Sequence, residues 1–141
     1  MATVKEVVSS YQQYLGVKYQ GHSQRFEKRL KHGSESAKAE AVVFSLLRAR
    51  GFTVEVAEDL GTGGVDYLCR TTFGDFLAEA TCLRSSSLTR HSGLEDHIAA
   101  TSECTSFSFA TRLFKRKLSS KAPQLADSPH PRLLIVVAFH A

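Results

Sequence analysis

The sequence predicts an α/β domain in which a mixed four-stranded sheet is flanked by helices. Three observations support this: one segment has the caps and spacing of a long helix, three short segments have the composition of strands, and one continuous apolar run lies near the C-terminus. With a second helix between the third strand and the apolar run, the order is helix, strand, strand, strand, helix, strand. We predict one domain over residues 1–141, with a helical N-terminal extension (1–33) and a core (34–141).

The extension carries two helical signals. Apolar residues recur at helical spacing over residues 3–15, which predicts a helix that ends at Gly16. The basic segment 21–33 predicts a second, short helix capped by Ser23.

The first helix of the core has the clearest boundaries. Ser34 suits its N-cap, and Gly51 suits the left-handed position after its C-terminus. Glu40 falls on the apolar side, between Phe44 and Leu47, where a carboxylate needs a partner. Glu40 is therefore expected either to reach an acidic site, or to turn out toward solvent or cap a nearby backbone group.

A strand and a hairpin follow. Residues 52–58 alternate between apolar and polar side chains, which predicts a half-buried strand. After a glycine-rich turn, Asp66 lies on the first strand of the hairpin, and Glu79 and Thr81 lie on the second. A four-residue loop over 72–75 would set Asp66 opposite Thr81 and diagonal to Glu79.

Asp66 and Glu79 would thus meet on one face of the hairpin. Carboxylates are disfavoured on an otherwise apolar face unless they are paired or bind a cation. Mg²⁺ takes oxygen ligands, commonly one or two carboxylates with water and substrate phosphate. The hairpin therefore predicts a site for Mg²⁺ or Mn²⁺.

The C-terminal part predicts a polar loop over 84–93, a second long helix and a last strand. Thr105 or Ser106 could cap that helix, and Phe114 is expected on its inner side. The apolar run 132–139 predicts a strand buried on both faces at the centre of the sheet.

The net charge of +4 comes largely from two basic clusters, one of them within residues 25–31. Such clusters suit a phosphate backbone, although a solvated helix face explains them equally well. The second cluster is the predicted nucleic-acid contact and consists of Arg112, Lys115, Arg116, Lys117 and Lys121.

Several other classes of protein are disfavoured. The sequence has no apolar run of membrane-spanning length and no signal-peptide block, and its three cysteines suggest reduced thiols, so a cytoplasmic protein is expected. Cys82, His91, His97 and Cys104 do not have zinc-site spacing. The segment 61–66 lacks the GK[ST] of a phosphate loop, and the serines at 85–87 lack a GxSxG context.

The order of elements and the acidic residues together resemble the PD-(D/E)xK nuclease superfamily, which has the restriction-endonuclease-like fold. The resemblance covers roughly residues 34–140 and starts with Glu40 on the first core helix. Gly64-Val65-Asp66 matches the strand with the metal-binding Asp, and Glu79-Ala80-Thr81 matches the (D/E)xK tripeptide with Thr in the Lys position. Leu133–Phe139 matches the closing strand.

The resemblance implies a Mg²⁺-dependent nuclease, with DNA as the expected substrate and RNA as the alternative. Asp66 and Glu79 would be metal ligands, Glu40 an accessory acid, and Thr81 a contact to water or phosphate. Because Thr81 supplies no positive charge, Lys115 or Lys117 is a candidate for the relocated Lys. Related nucleases often dimerise, so a homodimer is possible.

Two alternatives remain open at this point. One is a nuclease fold that binds DNA but has lost catalysis. The other is a protein-interaction module in which the carboxylates only pair with Arg70 or Arg84.

Overall fold

The computed structural model of the chain describes residues 2–83, 112, 114–123 and 129–139. Its helices are α1 (Val4–Lys18), α2 (Gln20–Lys31), α3 (Glu35–Ala49) and α4 (114–123), and its strands are β1 (Thr53–Val56), β2 (Tyr67–Thr71), β3 (Gly74–Leu83) and β4 (Arg132–Ala138). The predicted α/β class is confirmed. None of the described helices is both long and apolar enough to span a bilayer.

The sheet is mixed, as predicted, with the strand order β1-β2-β3-β4. β1, β2 and β3 are antiparallel neighbours, and β4 runs parallel to β3. The prediction that residues 132–139 form a central strand is wrong, because β4 pairs only with β3 among the described strands and Leu133 is exposed. An apolar run reports burial of side chains, and an edge strand under a covering layer satisfies it as well as a central strand does.

The hairpin turns earlier than predicted. Thr71 pairs with Gly74 rather than Phe76, so only Thr72 and Phe73 lie between the strands. The Thr71 hydroxyl donates to the Gly74 carbonyl at 2.7 Å and accepts from the Phe73 N–H at 3.1 Å. Gly74 has φ 133°, which favours glycine and allows the early turn.

The earlier turn shifts the pairing register by two residues. Leu68 pairs with Leu77, so the same register carried to the next residues sets Asp66 opposite Glu79 instead of Thr81. Since side chains on a strand alternate with a period of two, the shift leaves every side chain on its predicted face.

Both N-terminal helices differ from their predicted bounds. α1 continues through Gly16 to Lys18, and the Tyr19 N–H donates to the Leu15 carbonyl at 2.7 Å. A helical glycine costs about 1 kcal/mol, which the burial of Leu15 offsets. In α2, Ser23 is a buried residue of the helix interior and not its cap.

The caps of α3 agree with the prediction. The Ser34 hydroxyl accepts a hydrogen bond from the Ala37 N–H at 3.2 Å. Gly51 has φ 87°, and the N–H of the following Phe52 donates to the Leu47 carbonyl at 3.3 Å. These contacts are local, which explains why sequence alone located them.

The hydrophobic core lies between the N-terminal helices and one face of the sheet. The Tyr11 ring of α1 contacts Phe26 of α2, Phe44 of α3 and Tyr67 of β2, with ring centroids 4.8–6.3 Å apart. The helices of the N-terminal extension therefore pack in the same core as α3 and the sheet.

α4 lies on the other face of the sheet. Its Lys121 contacts Glu79, whose neighbours Ala78 and Ala80 face the α1–α3 layer. Phe114, predicted on the inner side of this helix, is exposed. The predicted loop 84–93 and the predicted caps Thr105 and Ser106 lie outside the described residues.

Candidate functional site

An open cleft of about 390 Å³ lies where β2 begins, between α2 and α3 on one side and α4 on the other. We call it the charged cleft, because its described lining includes four acidic and four basic residues. The acids are Glu40, Glu58, Asp66 and Glu79, and the bases are Arg25, Arg29, Lys117 and Lys121. Thr81, Gly63 and Gly64 also line it.

Asp66 and Glu79 face each other across the hairpin and are held by reciprocal contacts. Asp66 Oδ2 accepts from the Ala80 N–H at 2.7 Å, and Glu79 Oε2 accepts from the Asp66 N–H at 3.2 Å. The structure therefore brings together the two carboxylates that the sequence singled out. Each is fixed by the backbone of the opposite strand, which leaves the second carboxylate oxygen for another partner.

Asp66 has acidic neighbours and no basic partner among the described residues. Burial, and then the nearby charges of Glu79 and Glu40, raise its pKa from 3.8 to about 8. No ion pair links Asp66 to any basic side chain in the part of the chain that the structure describes. A carboxyl in this state favours any cation that reaches it.

Glu79 has a basic partner. The residue is only 3% exposed, and its Oε1 accepts a hydrogen bond from Lys121 Nζ of α4. The relocated base that the sequence suggested was Lys115 or Lys117, but the contact is made by Lys121. Lys117 lies one helical turn before Lys121 and lines the same cleft, whereas Lys115 is exposed and does not.

Glu40 does reach the cleft, and it is paired there. Arg29 Nη1 of α2 lies 2.7 Å from Glu40 Oε1. Burial raises the pKa of Glu40, and the charge and hydrogen bond of Arg29 oppose that rise. The hydroxyl of Tyr67 donates to the Glu40 carbonyl at 3.0 Å, which fixes the backbone at this residue.

Arg25 and Glu58 complete this side of the cleft. Arg25 Nη1 lies 3.0 Å from Glu58 Oε1, and His22 Nε2 lies 2.7 Å from the Glu58 carbonyl oxygen. The sequence placed Arg25 and Arg29 in a basic cluster but not at the acidic site. Their spacing of four residues, which puts both on one face of a helix, is the signal that could have indicated it.

The remaining candidates lie in different places. Thr81 is buried and lines the cleft, where its hydroxyl can donate or accept a hydrogen bond. Arg112, Lys115 and Arg116 are exposed and are not part of the cleft lining.

Arg70, one of the two partners named in the protein-interaction alternative, does not pair with Asp66 or Glu79. Arg70 lies 3.3 Å from Glu55 and 3.7 Å from Asp75, outside the cleft. Arg84, the other residue named for that role, is not among the described residues.

Within the described residues, no group of three or more His, Cys, Asp or Glu side chains is arranged to hold a metal ion. Cys82, one of the residues tested for zinc spacing, is buried, and its Sγ lies 4.0 Å from Glu35 Oε2. His91, His97 and Cys104 lie outside the described residues.

Comparison of the chain with known protein families, with curated proteins and with solved structures gives no match.

Proposed function

We propose that the protein is a Mg²⁺- or Mn²⁺-dependent nuclease that cleaves phosphodiester bonds in DNA, with the restriction-endonuclease-like fold. The observation that carries the proposal is Asp66: a partly buried carboxyl, beside a second carboxyl, that has no cationic partner among the described residues. It lies in the same cleft as two lysines of α4.

The residues present fit a divalent cation. Mg²⁺ is usually bound through one or two carboxylates and completes its shell with water and substrate phosphate. Asp66 and Glu79 supply the two carboxylates, so a third acidic ligand is not required. When bound, such a cation acidifies water and offsets charge on the scissile phosphate.

Lys121 supports the proposal because it provides the positive charge that Thr81 lacks. Its ammonium group already reaches the acidic pair from α4, although it is distant in sequence from the tripeptide. Lys121 would orient the attacking water or neutralise the phosphate, and Thr81 would donate a hydrogen bond to one of them. Glu40 would act as an accessory acid at the opposite side of the cleft.

The test is cleavage of labelled linear, nicked, branched and single-stranded DNA with Mg²⁺ or Mn²⁺. We expect Asp66→Asn and Glu79→Gln to lose cleavage, because each removes a negative charge from the acidic pair while preserving shape. Asp75→Asn is the matched control, since Asp75 lies on the same hairpin but outside the cleft. Equal cleavage by Asp66→Asn and Asp75→Asn would refute the proposal.

One observation favours a second candidate, a nuclease fold that binds DNA without cleaving it. Three of the four acids of the cleft are already paired with basic side chains, Glu40 with Arg29, Glu58 with Arg25 and Glu79 with Lys121. This candidate predicts salt-dependent DNA binding in the presence of a chelator and no products with either metal.

A further inference from the structure

We infer that α2 forms a second phosphate-binding wall of the charged cleft, in which Arg25 contacts the nucleic-acid backbone opposite Lys117 and Lys121 and the neighbouring Arg29 adds positive charge. The inference rests on the proposed function and extends it, because it assigns a substrate contact to the N-terminal extension. A nucleic-acid strand would then run between α2 and α4, over the acidic pair.

The spacing of the basic residues supports this arrangement. Arg25 and Arg29 are four residues apart on α2, and Lys117 and Lys121 are four residues apart on α4. In each helix such a pair lies on one face with a rise of about 6 Å. All four side chains line the same cleft, so two basic rows flank the acidic residues between them.

The charge balance explains how these residues could be available to a substrate. The eight charged side chains of the cleft lining balance in formal charge, so without metal a phosphate binds there when a basic side chain exchanges its acidic partner for the phosphate. A divalent cation at Asp66 and Glu79 would add two positive charges and weaken the contact of Lys121 with Glu79. The cleft would then have an excess of positive charge that two substrate phosphates could neutralise.

Arg25 is the residue on α2 that is best placed to change partner. Its side chain is 45% exposed, whereas that of Arg29 is 28% exposed and is held against the mostly buried Glu40. An exposed ion pair contributes little to stability, so the Arg25–Glu58 contact can be exchanged for a phosphate. Arg29 would remain paired with Glu40 and would attract the substrate phosphate mainly through its positive charge.

The backbone beside Glu58 leaves room for this contact. Gly63 and Gly64 line the cleft with φ 76° and 116°, and a Cβ atom added at either would meet nothing within 4 Å. This side of the cleft is therefore open. A phosphate can approach Arg25 without displacing a side chain at Gly63 or Gly64.

The inference is tested by the affinity of the full-length protein for a fluorescently labelled single-stranded DNA oligonucleotide, measured by anisotropy over a salt series in a chelator. We compare Arg25→Gln with Lys31→Gln, because Lys31 is an exposed residue of the same helix that does not line the cleft. Both substitutions remove one positive charge, so a difference in DNA affinity between the two variants reflects the position of the charge that was removed. Arg25→Lys tests whether charge alone restores binding.

We expect Arg25→Gln to weaken binding about fivefold to tenfold at low salt and to reduce the salt slope by about one. We expect Lys31→Gln to change affinity less than twofold and Arg25→Lys to recover most of the loss. Equal affinity and slope for Arg25→Gln and Lys31→Gln would overturn the inference, while metal-dependent cleavage lost in Asp66→Asn would leave the proposed function standing. Absence of any binding by the unmodified protein at low salt would overturn the inference, and the proposed function would be overturned with it only if metal-dependent cleavage is absent as well.

Discussion

Asp66 lies in surroundings unlike those of an ordinary surface carboxyl. Its backbone and side chain both bond to β3, and burial beside Glu79 and Glu40 raises its pKa to about 8. Because the sequence places an Asp at the start of a strand, it indicates a candidate, but the pKa depends on charges contributed by α3 and β3.

This raised pKa predicts how stability depends on pH in the absence of divalent metal. The folded state binds the Asp66 proton more tightly than the unfolded chain, whose carboxyl has a pKa near 3.8. The stability due to this group is therefore complete below about pH 4 and is lost as the pH rises through about 8. Asp66→Asn cannot ionise, so its stability relative to the unmodified protein should increase by a few kcal/mol over that range.

Urea unfolding of both proteins between pH 4 and 9 measures the effect. Addition of Mg²⁺ at pH 8 should stabilise the unmodified protein and leave Asp66→Asn unchanged, since binding to the folded state alone raises stability. If the free energies of unfolding of the two proteins change in parallel with pH, the pKa of Asp66 is not raised in the folded state.

At the scale of elements, α4 brings a positive charge to the acidic pair, because Lys121 contacts Glu79. The Lys side chain expected beside Glu79 in sequence is replaced by Thr81, and Lys121 reaches Glu79 from a helix on the same face of the sheet. A base can be relocated in this way because the chemistry depends on the position of the charge and not on the order of residues. The spacing of Lys117 and Lys121 then presents both lysines to the cleft.

We predict that Lys121→Met lowers the maximal cleavage rate by about 100-fold or more, a typical contribution for a group that positions or transfers a proton. Lys117→Met should mainly raise KM, because Lys117 has no ion pair with the acids of the cleft among the described residues. Steady-state kinetics with labelled DNA separates the two effects. Lys115→Met, on the exposed side of α4, is the control and should leave both constants nearly unchanged.

A structural role of Lys121 makes a different prediction. Removing it leaves the buried Glu79 unpaired, which destabilises the fold, so thermal unfolding of each variant accompanies the kinetics. If Lys121→Arg restores the unfolding temperature but not the rate, Lys121 has a chemical role; if it restores both, its role is to hold Glu79.

At the scale of the whole molecule, the N-terminal extension takes part in both the core and the cleft. Tyr11 and Leu15 of α1 are buried with Phe44 and Tyr67, and α2 carries the arginines that pair with Glu40 and Glu58. The extension was predicted from sequence only as a helical addition. Its packing shows that a core of residues 34–141 would lack part of its own hydrophobic contacts.

We therefore predict that Leu15→Ala lowers the free energy of unfolding by about 2–5 kcal/mol, the cost of a cavity in a packed core. Val17→Ala, on the same helix, should change it by less than about 0.5 kcal/mol. Leu15 is 1% exposed and Val17 is 80% exposed, so the difference in unfolding free energy between the two variants measures the effect of burial. Equal values from urea unfolding would mean that α1 does not pack on the core as described.

The local parts of the fold could be predicted from sequence. Ser34 and Gly51 bound α3 because their capping contacts lie within a few residues, and alternation identified the faces of the hairpin strands. The register of the hairpin could not be predicted, because the positive φ of Gly74 and the hydroxyl of Thr71 decided the length of the turn. Gly16 and Ser23 were misjudged as helix boundaries because packing of Leu15 and Phe26 outweighs their local preferences.

By itself, the sequence determined that the chain forms an α/β structure with Asp66 and Glu79 on one face of a hairpin, since strand periodicity is a property of the backbone. The tertiary structure alone decided which charges meet that pair. Arg25, Arg29 and Lys121 come from helices far apart in the chain, and only the packing of α2 and α4 against the sheet brings them into one cleft. Electrostatic interactions depend on distance through space, which the spacing of residues along the chain does not specify.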